Sequence, residues 1–301
     1  MTLLDFDKPR DQDIHTLADF AELYCLLNPD RWTSKEEIRD FILDNSDTNL
    51  SDDTLEDIFL QLIWRNGEIG EFYPFSFTDN QSVLTADQCL TYHQENYVFL
   101  LLCANLPFLK DKANQYKLTQ AFERISLEAL MHIWPNAGIV KAFGKSSSDY
   151  PGSKYERLKK MAADIGCQPN FTEESFRTRD SGDGGIDLVA WVDLDDSEKR
   201  HIPSVLGQCA CSRNDWVKKQ TEISYDRLGP QLSPTHNWMQ FLFIPQCFRD
   251  NTGKWAYSFD VGSVVLFDRV RILKQTSPYR FFGFGSDLIL KTFLTEKLEL
   301  V

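Results

Sequence analysis

The chain is 301 residues long, 42% hydrophobic and 26% charged, with a formal net charge of −13. Those figures fit one large or two ordinary core-forming domains, and the longest apolar run, Tyr97 to Cys103, is far too short for a bilayer span. Seven cysteines with no C-x-x-C pair exclude a disulfide framework and a zinc ribbon. Met1 to Asp7 lacks the basic and apolar regions of a signal peptide, so a reduced, cytoplasmic protein away from membranes is expected.

Taken whole, the charge argues against nucleic acid, whose phosphates call for clustered Lys and Arg. By segment the picture changes. Residues 1–100 hold 6 Lys and Arg against 21 Asp and Glu, a net of −15. Residues 101–301 hold 26 against 24, a net of +2. A step of that size marks a domain boundary. It predicts an acidic, mostly helical domain over 1–110 and a second domain over 111–301.

In the first domain, Leu17, Phe20, Ala21, Tyr24 and Leu27 form a helical stripe over Ile14 to Leu27. Thr33 or Ser34 followed by Glu36 and Glu37 resembles a capping box that opens a second helix through Ile42. Ser51-Asp52-Asp53 caps a third helix that ends near Asn66-Gly67. Phe72 to Val83 reads as a small hairpin, and Tyr97 to Leu106 as a further helix. Three short helices and a hairpin suggest a winged-helix-like module, but a charge of −15 favours protein contact over DNA reading.

A long helix over Gln115 to Trp134 leads to a polar loop, Lys145 to Ser153. Tyr155 to Ile165 is then a helix stopped by Gly166. Ile186 to Leu194 and Val205 to Cys211 read as strands, and Asn214 as the cap of a helix reaching about Tyr225. Met239 to Ile244 and Ser263 to Phe267 are further strands, with a helix from Asp287. The whole is an α+β chain with a mixed sheet in its second domain.

One constellation carries chemistry. Ser181-Gly182-Asp183-Gly184-Gly185-Ile186-Asp187 enters a strand through glycines and places Asp187 at its start. Leu206-Gly207-Gln208-Cys209-Ala210-Cys211 is the adjacent strand, the expected hairpin partner, so Asp187 and Gln208 stand side by side at one sheet edge. Two oxygen ligands there, completed by waters and a phosphate, suit Mg²⁺. The Cys209-x-Cys211 pair with Cys247 could form a metal thiolate site, but alternation turns both strand cysteines away from Gln208, and core packing is the simpler reading. Arg269 and Arg271 alternate with Val270 and Ile272, as on one face of a strand.

On the glycine-rich entry and the Gly207-Gln208-Cys209 strand, residues 150–275 resemble the PD-(D/E)XK nuclease superfamily, most closely its Mrr-like restriction endonuclease branch. The resemblance implies a restriction-endonuclease-like fold for 111–301 and Mg²⁺- or Mn²⁺-dependent hydrolysis of nucleic acid, DNA before RNA. Asp187 matches the metal-binding Asp, Gln208 the second acidic or Gln position, and Glu156 the Glu of a preceding helix. Where the family has its catalytic Lys, this chain has Ala210. Either Lys218 or Lys219 of the next helix replaces it, or the fold is inactive and serves as a structural or regulatory subunit. The family also implies a bacterial anti-phage defence or restriction effector, dimerisation to cut two strands, and a protein partner for the acidic domain.

Overall fold

The computed structural model describes residues 3–46, 48–144, 149–177, 182, 184–194, 197–276 and 286–298. The chain divides into two compact units. Unit 1 takes residues 1–121, 245–258 and 277–301, and unit 2 takes 122–244 and 259–276.

Unit 1 begins α1 (Ile14–Leu27), β1 (Trp32–Ser34), α2 (Lys35–Asn45), α3 (Asp52–Ile69), β2 (Phe75–Thr78) and β3 (Val83–Ala86). The strands form an antiparallel sheet in the order β1-β3-β2, so the helix–strand–helix–helix–strand–strand sequence follows the winged-helix order. Local chemistry sets the helix starts. Asp13 accepts from the backbone of His15 and Thr16, Ser34 and Glu37 close a capping box, and Ser51 accepts from Thr54 N. The expected stop at Gly67 is passed, because that glycine sits in open space on the helix surface. The helix ends instead at Gly70, which takes a positive φ of 59°. Then comes α4 (Tyr92–Ala104), which starts earlier than its apolar run because Thr91 and Gln94 make another capping box.

Within unit 1 lies a buried ion network. Arg65 of α3 donates to Asp19 Oδ1 at 2.7 Å and to Glu22 Oε1 at 2.9 Å, with all three side chains shut off from solvent. The Tyr73 and Tyr97 hydroxyls also donate to Glu22. Burial alone lowers the Arg65 pKa, but Glu22 and Asp19 outweigh it and hold the guanidinium above its ordinary value.

The units part within α5 (Lys112–Ile133). Unit 2 continues with β4 (Gly138–Ala142), α6 (Lys154–Asp164), β5 (Leu188–Val192), β6 (Ser204–Cys209), α7 (Trp216–Lys219), α8 (Tyr225–Leu232), β7 (Met239–Phe243), β8 (Val265–Phe267) and α9 (Arg269–Leu273). Its five-stranded sheet runs β4-β5-β6-β7-β8. The pairs β4/β5 and β5/β6 are antiparallel, and β6/β7 and β7/β8 are parallel. A parallel return requires a crossover, which α7 and α8 supply between β6 and β7. Every residue of β6 is buried, as expected of a strand covered on both faces. On one face Ile186, Val189, Trp191 and Leu206 pack with Leu158 and Met161 of α6 and with Ile223, Leu232 and Trp238.

Several expectations are corrected. The strand β4 is not among the expected elements, because its five residues are mostly half-exposed and show no alternation. The helix expected from Asn214 to Tyr225 breaks in two: α7 is one turn with Asp215 at its N-cap, and Ser224 caps α8 separately. Arg269 and Arg271 lie on a helix, α9, opened by Asp268, and Arg269 is fully buried. The division at residue 110 also gives way to a discontinuous one. Residues 245–258 and α10 (Ser286–Thr295) return to unit 1, where Gln61 donates to Arg249 O, Arg31 to Leu294 O and Leu298 N to Leu27 O. No helix among the described residues is long and apolar enough to cross a membrane.

The Arg65 network yields a stability prediction. Arg65→Ala leaves two buried carboxylates unbalanced and lowers stability by about 3–5 kcal/mol. Arg39→Ala, which removes a surface pair with Asp52, costs no more than about 1 kcal/mol. Denaturant unfolding of the full chain checks both values.

Candidate functional site

Asp187 follows a turn built by Gly184 and Gly185, with φ of 74° and 87°, and is anchored by the wholly buried Ile186. Its backbone closes two strand pairs at once. Asp187 N donates to Gly207 O at 2.9 Å, and its carbonyl accepts from Phe143 N at 2.7 Å and Gly144 N at 3.0 Å. The side chain adds a third tie, since Oδ2 accepts from Cys209 N at 2.7 Å. The strand register ends with Leu188 opposite Gly207, whose carbonyl Asp187 N also reaches, and Gln208 is the next residue of β6. Glycine is needed at 207 because a Cβ there would stand 3.0 Å from that of Leu188.

Gln208 is buried. Its Nε2 donates to Glu222 Oε2, a carboxylate in the turn between α7 and α8. That contact fixes the amide orientation, because only the nitrogen end can donate. The carbonyl end, Oε1, is buried without a hydrogen-bond partner among the described residues. A second carboxylate comes from α5. A methyl group placed on Gly144 would meet Glu123 Oε2 at 2.9 Å and Asp187 Oδ1 at 3.5 Å, so both carboxylates border the same small cradle.

The other expected residues lie elsewhere or are otherwise engaged. Glu156 closes the capping box of α6 with Ser153, and the Ser153 backbone N–H, then its hydroxyl, hold its pKa below the usual carboxylate range. The helix carboxylate that the structure brings to Asp187 is Glu123. Glu123 lies in the long helix expected over 115–134, whereas the family resemblance gave the helix carboxylate as Glu156. Lys218 is exposed and Lys219 half-buried on α7, and the side chain of this crossover that meets Gln208 is that of Glu222. Ala210 is buried and donates its N–H to Phe243 O, which continues the β6–β7 ladder. Ser181 and Asp183 lie outside the described residues.

By strand alternation Cys209 points away from Gln208, to the side where the Asp187 and Glu123 carboxylates and Ser126 act on it. Burial, followed by the charges of Asp187 and Glu123, pushes its thiol well above the ordinary range. A thiolate ligand needs the opposite shift, so Cys209 packs as a neutral side chain. Among the described residues no group of three or more His, Cys, Asp or Glu side chains is placed to hold a metal ion. What the cradle at Gly144 contains is carboxylate oxygen, from Asp187 and Glu123. That donor set fits Mg²⁺ or Mn²⁺, which bind through one or two carboxylates and leave other positions to water and phosphate. Comparison with protein-family models, curated proteins and solved structures finds no match to this chain.

The Cys209 environment is open to test by thiol labelling. At pH 8 the native chain should react at once at the exposed Cys89 and leave the buried Cys209 unmodified, since a raised pKa keeps that thiol protonated. Unfolding in guanidinium should release it. Mass spectrometry of the labelled peptides reads both states, and rapid native labelling of Cys209 would contradict the assignment.

Proposed function

We propose that this protein is a metal-dependent nuclease that hydrolyses phosphodiester bonds of nucleic acid, DNA before RNA. The observation that carries the reading is the buried, unmatched Gln208 carbonyl on the strand whose Gly207 carbonyl and Cys209 N–H both bind Asp187. The Glu123 carboxylate at the same glycine adds to it. In this reading Asp187, Glu123 and Gln208 Oε1 hold Mg²⁺ or Mn²⁺. The ion, when bound, polarises the phosphate and lowers the pKa of a water.

The chain's own residues account for the rest. Cys209 N–H fixes one Asp187 oxygen and leaves the other directed to the cradle. Glu222 holds the Gln208 amide so that oxygen, not nitrogen, is presented. Of the glycine turn, Gly184 is the open position, with only the Lys154 side chain within 4 Å of where its Cβ would stand, and it lets a phosphate backbone approach closely. The resemblance in sequence supports placing such an enzyme among bacterial anti-phage or restriction effectors, acting as a homo-oligomer, with acidic unit 1 as its protein-contact surface.

A second reading has an observation of its own. The strand position that should carry a cation is Ala210, buried and uncharged. This supports an inactive nuclease fold that serves as a structural or regulatory subunit.

Cleavage of supercoiled plasmid and of single-stranded oligonucleotide with Mg²⁺ or Mn²⁺ separates the two. The enzyme reading expects Asp187→Ala to reduce cleavage by at least about a hundredfold. Glu123→Gln should lower it strongly, while Glu156→Gln leaves it close to wild type. Equal cleavage by wild type and Asp187→Ala would discard the assigned site. No cleavage by the wild-type chain with either metal favours the inactive subunit.

A further inference from the structure

We infer that Arg227 binds the phosphate being cleaved, and so supplies the positive charge that the sheet lacks at Ala210. The inference rests on the nuclease reading and deepens it. Arg227 stands in the first turn of α8, on the crossover that carries Glu222 to Gln208. One guanidinium nitrogen, Nη1, donates to Glu222 O at 2.6 Å and to Gly184 O at 3.2 Å. The same nitrogen lies 3.4 Å from where a Cβ on Gly185 would stand. The group is thus fastened across the glycine turn that leads into Asp187.

The anchoring pattern argues for a ligand. Both partners are backbone carbonyls, which orient the guanidinium without cancelling its charge. Nε and Nη2 have no partner among the described residues, and the side chain is exposed. One edge of the planar fork is fixed and the other is presented, the geometry that suits a bidentate phosphate contact. Lys154, the first residue of α6, passes its Cε 3.9 Å from the Cβ position of Gly184. Lys154 thus borders Gly184 and Arg227 borders Gly185, where the Glu222 carboxylate oxygen stands closer, 2.6 Å from the same Cβ position. Lys218 and Lys219 show no comparable anchor.

The chemistry limits the role. A guanidinium stays protonated at any pH the protein meets, so Arg227 neither takes nor gives the proton. Water oxygen bonds to phosphorus, the bridging P–O bond breaks, and the water proton leaves to solvent while the leaving oxygen is protonated in turn. Arg227 offsets charge on the non-bridging oxygens.

The test uses the full chain in two backgrounds. With Asp187→Ala to prevent cleavage, fluorescence anisotropy on a labelled DNA duplex is followed across a salt titration. One phosphate contact fewer should reduce the slope of log K against log salt by about one in Arg227→Gln. Arg227→Lys, which keeps the charge and loses the carbonyl anchors, should retain the slope. A purely structural role predicts that Lys and Gln behave alike. On the otherwise native chain, Arg227→Gln should cut cleavage at least tenfold, and Lys218→Ala and Lys219→Ala should not. Binding with an unchanged slope in Arg227→Gln overturns the Arg227 assignment and leaves the nuclease reading standing. A wild-type chain that neither binds nor cleaves DNA or RNA overturns that reading, and this assignment with it.

Discussion

The arrangement at the candidate site depends on the way one residue, Asp187, ends three strands at once. Its N–H completes the β5–β6 pair, its carbonyl receives two N–H groups from the end of β4, and its carboxylate receives the N–H of Cys209. A carboxylate placed by rotamer preference alone wanders among staggered wells. This one is fixed by its own backbone on both sides and by a charge-assisted bond to a buried amide. The close contact of Gly207 with Leu188 belongs to the same constraint, because a side chain at 207 would part β5 from β6 next to Asp187. Glu123 and Gln208 acquire their relation to Asp187 only because the strand ends stay together.

The choice of Gln rather than Glu at 208 follows from its neighbours. The residue is buried, with Asp187 on the adjoining strand and Glu222 in contact. A glutamate there would set two like charges against each other in a desolvated place, and one would have to take up a proton. The amide avoids this. Its nitrogen neutralises the acceptor demand of Glu222, and its oxygen is left buried without a partner among the described residues. Gln208 and Glu222 therefore form a matched pair, and a substitution at one should be judged with the other.

Much of this was legible in the sequence where the controlling interactions are local. Capping at Ser34, Ser51 and Ser153 and the glycine entry to β5 depend on residues a few positions apart. The antiparallel pairing of β5 with β6 also follows from the expected hairpin. What escaped was non-local or short. Gly138 to Ala142 gains its strand conformation from the ladder with β5 rather than from its own pattern. The break between α7 and α8 has no glycine or proline to announce it, and it brings Glu222 and Arg227 to the site. The return of residues 245–258 and 286–298 to unit 1 rests on bonds spanning more than 180 positions, such as Gln61 to Arg249. The charge step along the chain marks composition, and composition does not record such bonds.

The same caution applies to what topology says about function. Unit 1 runs helix, strand, helix, helix, strand, strand, an order that by itself assigns no role to α3. The helix α3 exposes Asp52, Asp53, Glu56 and Asp57 in its first turns, and phosphates would repel that face. The surface decides what can bind. A nucleic acid at unit 2 would meet 18 Lys and Arg against 19 Asp and Glu, a net charge of −1. A near-neutral surface gives little long-range attraction. Binding would then rest on a few cations fixed in place, and a guanidinium tied to two carbonyls contributes more in that setting than a mobile lysine of equal charge.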